Sequence, residues 1–250
     1  MPLLTKPAAS IDEVVGVMTA IEQALPQSDG VWWFNHLYMR VTLSVREAMS
    51  GSSAFGDATF LERLDVVFAN LYFDALAADK ATPGTAPHAW RPLLSSRTTA
   101  HVHPLQFALA GMNAHINRDL PFVLYRMGLF NADGTSRKSD HDLVNSVLFD
   151  AYDDAAVDSA RRFDPSMAPS TAPGSVETSI QSVVLWREEA WRNAERLASA
   201  TTDAERALIA AQIEQAATLE AQAIKAAYSY GPGQSSADRD AYCAAHHNDA

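Results

Sequence analysis

The sequence predicts an all-α protein, a single helical bundle of about seven helices that ends in a helical hairpin. Apolar residues recur at three- and four-residue spacing in seven segments, and a serine, threonine or aspartate stands at the start of several of them. No stretch alternates apolar and polar residues for long enough to require a β-strand. We therefore expect one helical domain over residues 1–230, followed by a polar and mobile tail over residues 231–250.

The first two helices are predicted from a cap and from composition. Ser10 and Glu13 have the spacing of a capping box, which predicts a helix over residues 10–25. Residues 31–49 are apolar nearly all the way round, so the second helix should be buried. Its aromatic cluster is typical of a core rather than of a ligand cage; the cluster consists of Trp32, Trp33, Phe34 and Tyr38.

The third helix is expected over residues 58–78, with Asp57 as its cap. Asp65 lies at the margin of its apolar face and is the acid that could point inward. Residues 79–104 contain four prolines and three histidines without helical periodicity. We expect a long loop there, held by Trp90, and a functional role such as a lid over a site.

Residues 105–120 predict the central helix of the bundle. On its helical wheel His115 and Asp119 lie one turn apart beside a continuous apolar stripe. Gly111 lies on the same strip, where a small residue allows a helix or a ligand to come close. Pro121 should end or kink the helix, because proline lacks the N–H that the preceding turn requires.

The next segments carry two further polar exceptions. Residues 130–138 predict a turn, and Ser139 should cap a helix with His141 at the edge of its apolar face. After a linker rich in proline, serine and alanine, residues 176–200 predict a long helix with Arg187 in the middle of its apolar stripe. Arginine keeps its charge, so we expect Arg187 to meet a buried acid or a ligand anion.

The last long helix begins at a second capping box and forms the predicted hairpin with the helix before it. Thr202 and Glu205 provide the box, and an alanine-rich helical pattern continues to about Tyr228. The connection between the two helices is short, which favours antiparallel neighbours.

Composition and charge restrict the class of function. Nearly half of the 250 residues are hydrophobic, enough for a sizeable core, and the single cysteine, Cys243, excludes an internal disulfide. We expect a cytoplasmic protein without membrane insertion, since no signal peptide or long apolar run is visible. The formal net charge of −11 disfavours nucleic acid as a partner.

Five of the predicted helices each carry one inward-leaning polar strip. The strips consist of His36 with Arg40, Asp65, His115 with Asp119, His141 with Asn145, and Arg187. Two interpretations follow, because buried charges must be paired. The groups form either a structural network that fixes the helix packing or a pocket for catalysis or ligand binding, and the number of ionisable groups favours the pocket.

The pocket interpretation has a metal form and a metal-free form. A divalent metal such as zinc would be held by His36, His115, Asp119 and His141. Without metal, His115 paired to Asp119 would be a general base, and Arg40 or Arg187 would bind a substrate carboxylate or stabilise an oxyanion. The candidate catalytic residues are therefore His36, Arg40, His115, Asp119 and Arg187.

Four sequence blocks resemble a bacterial family of all-helical proteins without an assigned function. The blocks are WFNHLYMRVT, FLERLDVVFANLYFDAL, NAHINRDLP and WREEAWRNAERL. The resemblance implies an all-helical fold and supplies no catalytic residues. His115-x-x-x-Asp119 is also similar to a metal-binding element of the zinc-dependent phospholipase C and P1 nuclease group, whose His-x-x-x-Glu element this chain lacks.

The favoured functional interpretation is an enzyme that acts on a small organic molecule, with a metal-dependent hydrolase as its most specific form. The chain has no Gly-x-Ser-x-Gly elbow, phosphate-binding loop or dinucleotide fingerprint. The alternative is a non-catalytic helical module that binds a hydrophobic ligand or a protein partner, in which the polar cluster is structural.

Overall fold

The computed structural model is all-α, as the sequence predicts. The described part of the chain contains no β-strand beyond one isolated bridge, between Phe130 and Ser136. The structure describes residues 6–51, 55–100, 102–162, 164, 175–227 and 236–246. The linker predicted around residues 164–174 falls almost wholly outside these residues, as do parts of the predicted tail.

The helices follow one another with short connections. In chain order they are α1 (Ile11–Ala24), α2 (Gly30–Gly51), α3 (Ala58–Ala81), a 3-10 turn (His88–Trp90), α4 (Arg91–Ser96), α5 (Pro104–Asn113), a π-helical segment (Ala114–Asp119), α6 (Leu120–Met127), α7 (Lys138–Arg162), α8 (Ser175–Ser199), α9 (Asp203–Ala227) and α10 (Ser236–His246).

The predicted helix caps are present at three N-termini. Ser10 Oγ accepts the Glu13 N–H at 3.2 Å, and the same arrangement at Thr202 and Glu205 begins α9 at 3.1 Å. Asp57 caps α3 through its carboxylate. These side chains satisfy N–H groups that a helix start leaves without partners, which explains why the boundaries were readable from the sequence.

The start of α7 differs from the prediction by a few residues. Ser139 lies inside the helix, and the Lys138 N–H donates instead to Ser136 Oγ at 3.1 Å. The turn before it is as expected. Gly134 has a φ of +83°, and Asp133 accepts the N–H two residues further on, so the chain reverses within a few residues.

The stretch between α3 and α5 is not the long loop that its prolines suggested. α3 continues to Ala81, and the 3-10 turn and α4 follow it. Trp90, Leu93 and Leu94 are all buried in the core, so apolar side chains hold this stretch against the bundle. The expectation that Trp90 anchors it is confirmed, while the expectation of a long loop without helical structure is wrong.

The central helix neither ends nor breaks at Pro121. The chain passes from α5 through the π-helical segment, where the Leu120 N–H donates to the carbonyl of His115, five residues earlier. Pro121 then occupies the first turn of α6. The helix therefore continues past a residue that has no N–H to donate, directly after the turn whose hydrogen bonds have changed register.

The bundle is built around α2 and the segment from α5 to α6. A Cβ at Gly111 would overlap the Phe34 ring, so Gly111 lets α2 and α5 approach closely, as expected. α9 packs on α5 and on the 3-10 turn, and α8 packs on α6 and α7. No helix in the described ranges is long and apolar enough to cross a membrane.

Candidate functional site

An interior cavity of about 110 Å³ lies between α2, α3, the π-helical segment, α6, α7 and α8. Its wall is mostly aliphatic and aromatic. Four of its polar residues come from four different elements, and they are Asp65, His115, His141 and Arg187. The structure therefore brings His115, His141 and Arg187 to one place, which the sequence could predict only as a hypothesis.

His115 is held by two contacts. Its ring stacks on Phe68, with centroids 3.5 Å apart and planes 6° apart, and its Nδ1 lies 3.3 Å from Asp119 Oδ2. An ionised carboxylate only accepts, so Nδ1 carries the proton and Nε2 carries the lone pair. Nε2 is buried and has no hydrogen-bond partner among the described residues.

Asp119 is the anchor of this arrangement. It is fully buried and accepts hydrogen bonds from Trp90 Nε1 at 3.1 Å and from Arg118 at 2.7 Å. Arg118 also donates to Glu214 of α9 at 2.9 Å. Both carboxylate oxygens are thus in use, and Asp119 is suited to orient His115 rather than to react.

The environment keeps His115 neutral. Burial lowers its pKa below the ordinary histidine value, and the neighbouring Asp119 carboxylate only partly offsets this. A neutral imidazole with a bare Nε2 can accept a proton or a hydrogen bond. The pair therefore has the geometry of a general base with an orienting acid.

Asp65 reaches the cavity from α3, which confirms the expectation that it points inward. Its Oδ2 is buried and accepts no hydrogen bond from the described residues. Burial raises the pKa of Asp65 to about 7. Near neutral pH this carboxyl group therefore exists in both protonation states.

Within the described ranges, Arg187 does not meet the buried acid that its position in an apolar stripe suggested. Its Nε donates to Asn145 Oδ1 at 2.7 Å and its Nη2 to the His141 carbonyl at 2.5 Å. Both acceptors are neutral. Burial lowers the pKa of Arg187 to about 10, with Asp142 partly opposing the shift, so the side chain stays charged at neutral pH.

His141 lies beside Arg187. Its Nδ1 is 3.1 Å from Asp142 Oδ1, and its buried Nε2 has no partner among the described residues. Burial, then the positive charges of Arg187 and Lys138, hold its pKa well below the ordinary value. The ring is therefore neutral and lies in a region of positive potential.

Two predicted site residues lie elsewhere. His36 contacts Glu22 of α1 through Nδ1 and stacks on Trp32 at 4.8 Å, and Arg40 forms an exposed ion pair with Asp158 of α7. Neither lines the cavity. The face of α2 that does so carries Phe34, Leu37, Tyr38, Val41 and Val45, so the strip that contains His36 and Arg40 points away from it.

The four predicted metal ligands do not come together. In the described part of the chain, no three His, Cys, Asp or Glu side chains are close enough to hold one ion. His36 faces α1, and the oxygens of Asp119 already accept from Trp90, Arg118 and His115. The donor set does not fit a metal centre, and we derive no chemistry from one.

The sequence missed the role of two residues. Arg118 compensates the charge of Asp119. Residues adjacent in sequence do not face each other on an ordinary helix, so the helical periodicity did not predict this ion pair. Tyr38 was predicted only as core, yet it lines the cavity. Burial raises its pKa, as do the carboxylates of Asp65 and Asp119. The hydroxyl group of Tyr38, on a helix predicted to be buried, was the feature of the sequence that could have indicated this role.

Residues 11–227 match the model of a family of unknown function, DUF5995. The chain belongs to this family. The expected membership in a family without an assigned function is confirmed, and the DUF5995 region includes every cavity residue. No curated protein and no solved structure matches the chain. The likeness to zinc-dependent phospholipases receives no support from these comparisons.

Proposed function

We propose that the protein is an enzyme that acts on a small, largely apolar organic molecule bound in the interior cavity, with His115 as the general base. The observation that carries the proposal is the state of the imidazole. Asp119 holds Nδ1, while Nε2 of this cavity-lining residue is buried and has no hydrogen-bond partner among the described residues. A histidine that only fixes helix packing is expected to satisfy both nitrogens.

The energetic cost of the arrangement supports a functional role. Asp65, His115 and His141 line the cavity, and each has one buried side-chain atom, Oδ2 or Nε2, that lacks a hydrogen-bond partner among the described residues. Each buried polar atom left unpaired costs roughly 1–3 kcal/mol, against a total stability of roughly 5–15 kcal/mol. A bound molecule that hydrogen bonds to these atoms would recover that cost.

The position of the pair in the chain also supports the proposal. His115 and Asp119 both lie in the π-helical segment. A π turn widens the helix and loses favourable hydrogen bonding, and such turns occur frequently at functional sites. A helix selected only for stability would have kept its regular hydrogen bonds here.

The chemistry follows from the protonation states. His115 Nε2 would take a proton from a water molecule or from the substrate, and the Asp119 carboxylate would stabilise the imidazolium that forms. Asp65, with a pKa of about 7, would return a proton to a leaving group. Hydrolysis is the most direct form, since water is the simplest molecule for such a base to activate.

Size limits the substrate. The cavity has a volume of about 110 Å³. Apolar cavities of roughly 150 Å³ bind benzene, so one ring or a short acyl chain is the fitting scale. Nε2 is itself covered, and the substrate would reach it after a small movement of a neighbour such as Tyr38, whose ring centroid is 4.6 Å from that of His115.

We also infer the cellular compartment and the class of partner from the composition of the chain. A single cysteine fits a reducing compartment such as the cytoplasm. A formal charge of −11 argues against nucleic acid and anionic membranes as partners. A small molecule remains the partner that the cavity best accommodates.

The second function we consider is a non-catalytic carrier of a small hydrophobic ligand. It is favoured by the predominance of apolar side chains in the cavity wall. In a carrier the histidines would bind the ligand without proton transfer. The two functions differ in one respect, because only the enzyme makes turnover depend on His115.

A hydrolysis assay tests the proposal. The probes are methyl acetate, methyl propionate and methyl butyrate, with the released acid titrated at constant pH, compared for the wild type and for His115→Gln, which keeps a polar side chain but cannot act as a base. We expect wild-type turnover and a loss of at least a hundredfold in His115→Gln. His88→Gln, which removes an exposed histidine, is the control and should leave turnover unchanged. Turnover that His115→Gln retains would refute the proposal.

A further inference from the structure

We infer that the molecule bound in the interior cavity carries a single carboxylate, which the guanidinium of Arg187 binds next to His141. The inference rests on the proposed function in taking this cavity as the binding site. It does not depend on catalysis by His115. It goes further by naming the class of ligand, a short acyl or aryl carboxylate.

The positive charge of Arg187 has no counter-ion among the described residues. The side chain is buried, and no carboxylate lies within salt-bridge distance of it among the described residues. Its two hydrogen-bond acceptors are an amide oxygen and a backbone carbonyl. Buried cations are ordinarily paired, because the desolvation of a charge costs several kcal/mol. The cavity beside Arg187 is where a counter-ion fits.

The Arg187 guanidinium also has N–H donors that the described protein does not use. A guanidinium has five N–H donors in a planar fork, and the bonds to Asn145 and His141 use only part of them. No acceptor on the described protein contacts Nη1. The two protein acceptors fix the plane of the fork, which prepares it for a planar ligand such as a carboxylate.

Arg137, the other arginine that lines the cavity, is a poorer candidate for binding a carboxylate. Arg137 also lines the cavity, but its Nη1 donates to the carbonyls of Gly128 and Phe130 and its Nη2 lies 3.8 Å from the Asp57 carboxylate. Its guanidinium also lies over the Phe60 ring at 3.8 Å. Arg137 therefore has a carboxylate within salt-bridge distance, although its Nε has no hydrogen-bond partner, whereas Arg187 has no such carboxylate among the described residues.

The charged groups that line the cavity favour a ligand with a single negative charge. Asp65 faces the same cavity and would oppose a second negative charge, while the potential around His141 and Arg187 is positive. A phosphate monoester carries nearly two charges and would leave one without compensation. The apolar remainder of the wall then suits a short hydrocarbon chain or a single ring.

Binding of matched acids and amides tests the inference. Isothermal titration of the full chain would use hexanoate and benzoate, each against its uncharged amide, hexanamide or benzamide. We expect each acid to bind at least tenfold more tightly than its amide, because only the acid offers two anionic acceptors to the fork. Equal affinity for acid and amide, or no binding of either acid at millimolar concentration, would overturn the inference.

Variants locate the binding site. Arg187→Gln should remove the preference for the acid, and Arg187→Lys should retain part of it while keeping the charge needed for folding. Arg192→Gln, on the exposed face of the same helix, is the matched control and should bind as the wild type does. Thermal melts establish that each variant is folded. A preference for the acid that survives in folded Arg187→Gln would refute the assignment.

The two proposals fail in different ways. His115→Gln should bind hexanoate with wild-type preference over hexanamide even though it turns over no ester. Ester hydrolysis without any preference for acids would leave the enzyme proposal standing and remove this one. A preference for acids together with turnover that is independent of His115 would remove the enzyme proposal and leave the carboxylate inference standing.

Discussion

The imidazole of His115 lies flat on the ring of Phe68, with centroids 3.5 Å apart and planes 6° apart. This stack fixes the plane of the imidazole, and the bond from Nδ1 to Asp119 fixes its rotation within that plane. Neither contact is a hydrogen bond to Nε2, which is buried and has no partner among the described residues. The protein thus positions His115 and leaves its basic nitrogen unused, which yields several testable consequences.

Replacing His115 should cost little stability, although the residue is buried. His115→Leu removes the bond from Nδ1 to Asp119 and also removes Nε2, which has no partner among the described residues, while Asp119 keeps its bonds from Trp90 and Arg118. We expect the free energy of unfolding, measured in urea, to stay within about 1 kcal/mol of wild type. His36→Leu is the matched comparison and should destabilise by roughly 1–2 kcal/mol, because it leaves Glu22 without its partner. A larger loss in His115→Leu than in His36→Leu would favour an architectural role.

Asp119→Ala should destabilise the fold strongly. The change removes the acceptor shared by His115, Trp90 and Arg118 in a fully buried position. Breaking a buried ion pair from one side costs roughly 3–5 kcal/mol. Asp150→Ala, an exposed acid on α7, is the control and should change stability by less than about 0.5 kcal/mol. Similar unfolding midpoints for the two variants would contradict the role of Asp119 as the anchor.

Asp65 should make stability depend on pH. Burial raises its folded-state pKa to about 7, above its ordinary value of 3.8. The folded state therefore binds more protons between these values, and the contribution of Asp65 is fully present below about pH 4 and is lost as pH rises to about 7. Asp65→Asn should remove this dependence and unfold at higher urea concentration than wild type at pH 8. Glu62→Gln, an exposed acid on the same helix, should retain the wild-type profile.

The contact between α2 and α5 should tolerate no added carbon at Gly111. A Cβ there would overlap the Phe34 ring, so Gly111→Ala should cost roughly 1–3 kcal/mol of stability. At Gly16 in α1 no atom lies within 4 Å of the corresponding position. Gly16→Ala should therefore stabilise by roughly 0.5–1 kcal/mol, through helix propensity alone. Thermal denaturation of the pair checks the contact, and equal effects would contradict it.

Local signals explain how much of the fold was predictable. Ser10, Asp57 and Thr202 cap helices through bonds to residues three positions away, so their effect is visible in the sequence. The π-helical segment was not predictable, because a helical wheel assumes a constant turn. The stretch around Trp90 was misjudged because its proline content hid side chains that are buried only by distant helices.

The site was predictable only where a helix has one clear apolar face. Arg187 interrupts such a face and His115 borders one, and both line the cavity. α2 is apolar nearly all round, so its sequence did not reveal which side would meet the cavity, and His36 and Arg40 were placed there wrongly. The partners of Arg187 come from α7, and no spacing within α8 could have named them.

The tautomer of His115 is the most direct test of the account. Long-range ¹H–¹⁵N correlation spectra of the eight histidines, with His115 assigned by comparison with His115→Gln, report which ring nitrogen carries the proton. We expect a neutral ring at pH 7 with the proton on Nδ1 and a bare Nε2 whose ¹⁵N shift moves when hexanoate binds. A proton on Nε2, or an imidazolium at that pH, would contradict the claim that Asp119 prepares His115 as a base.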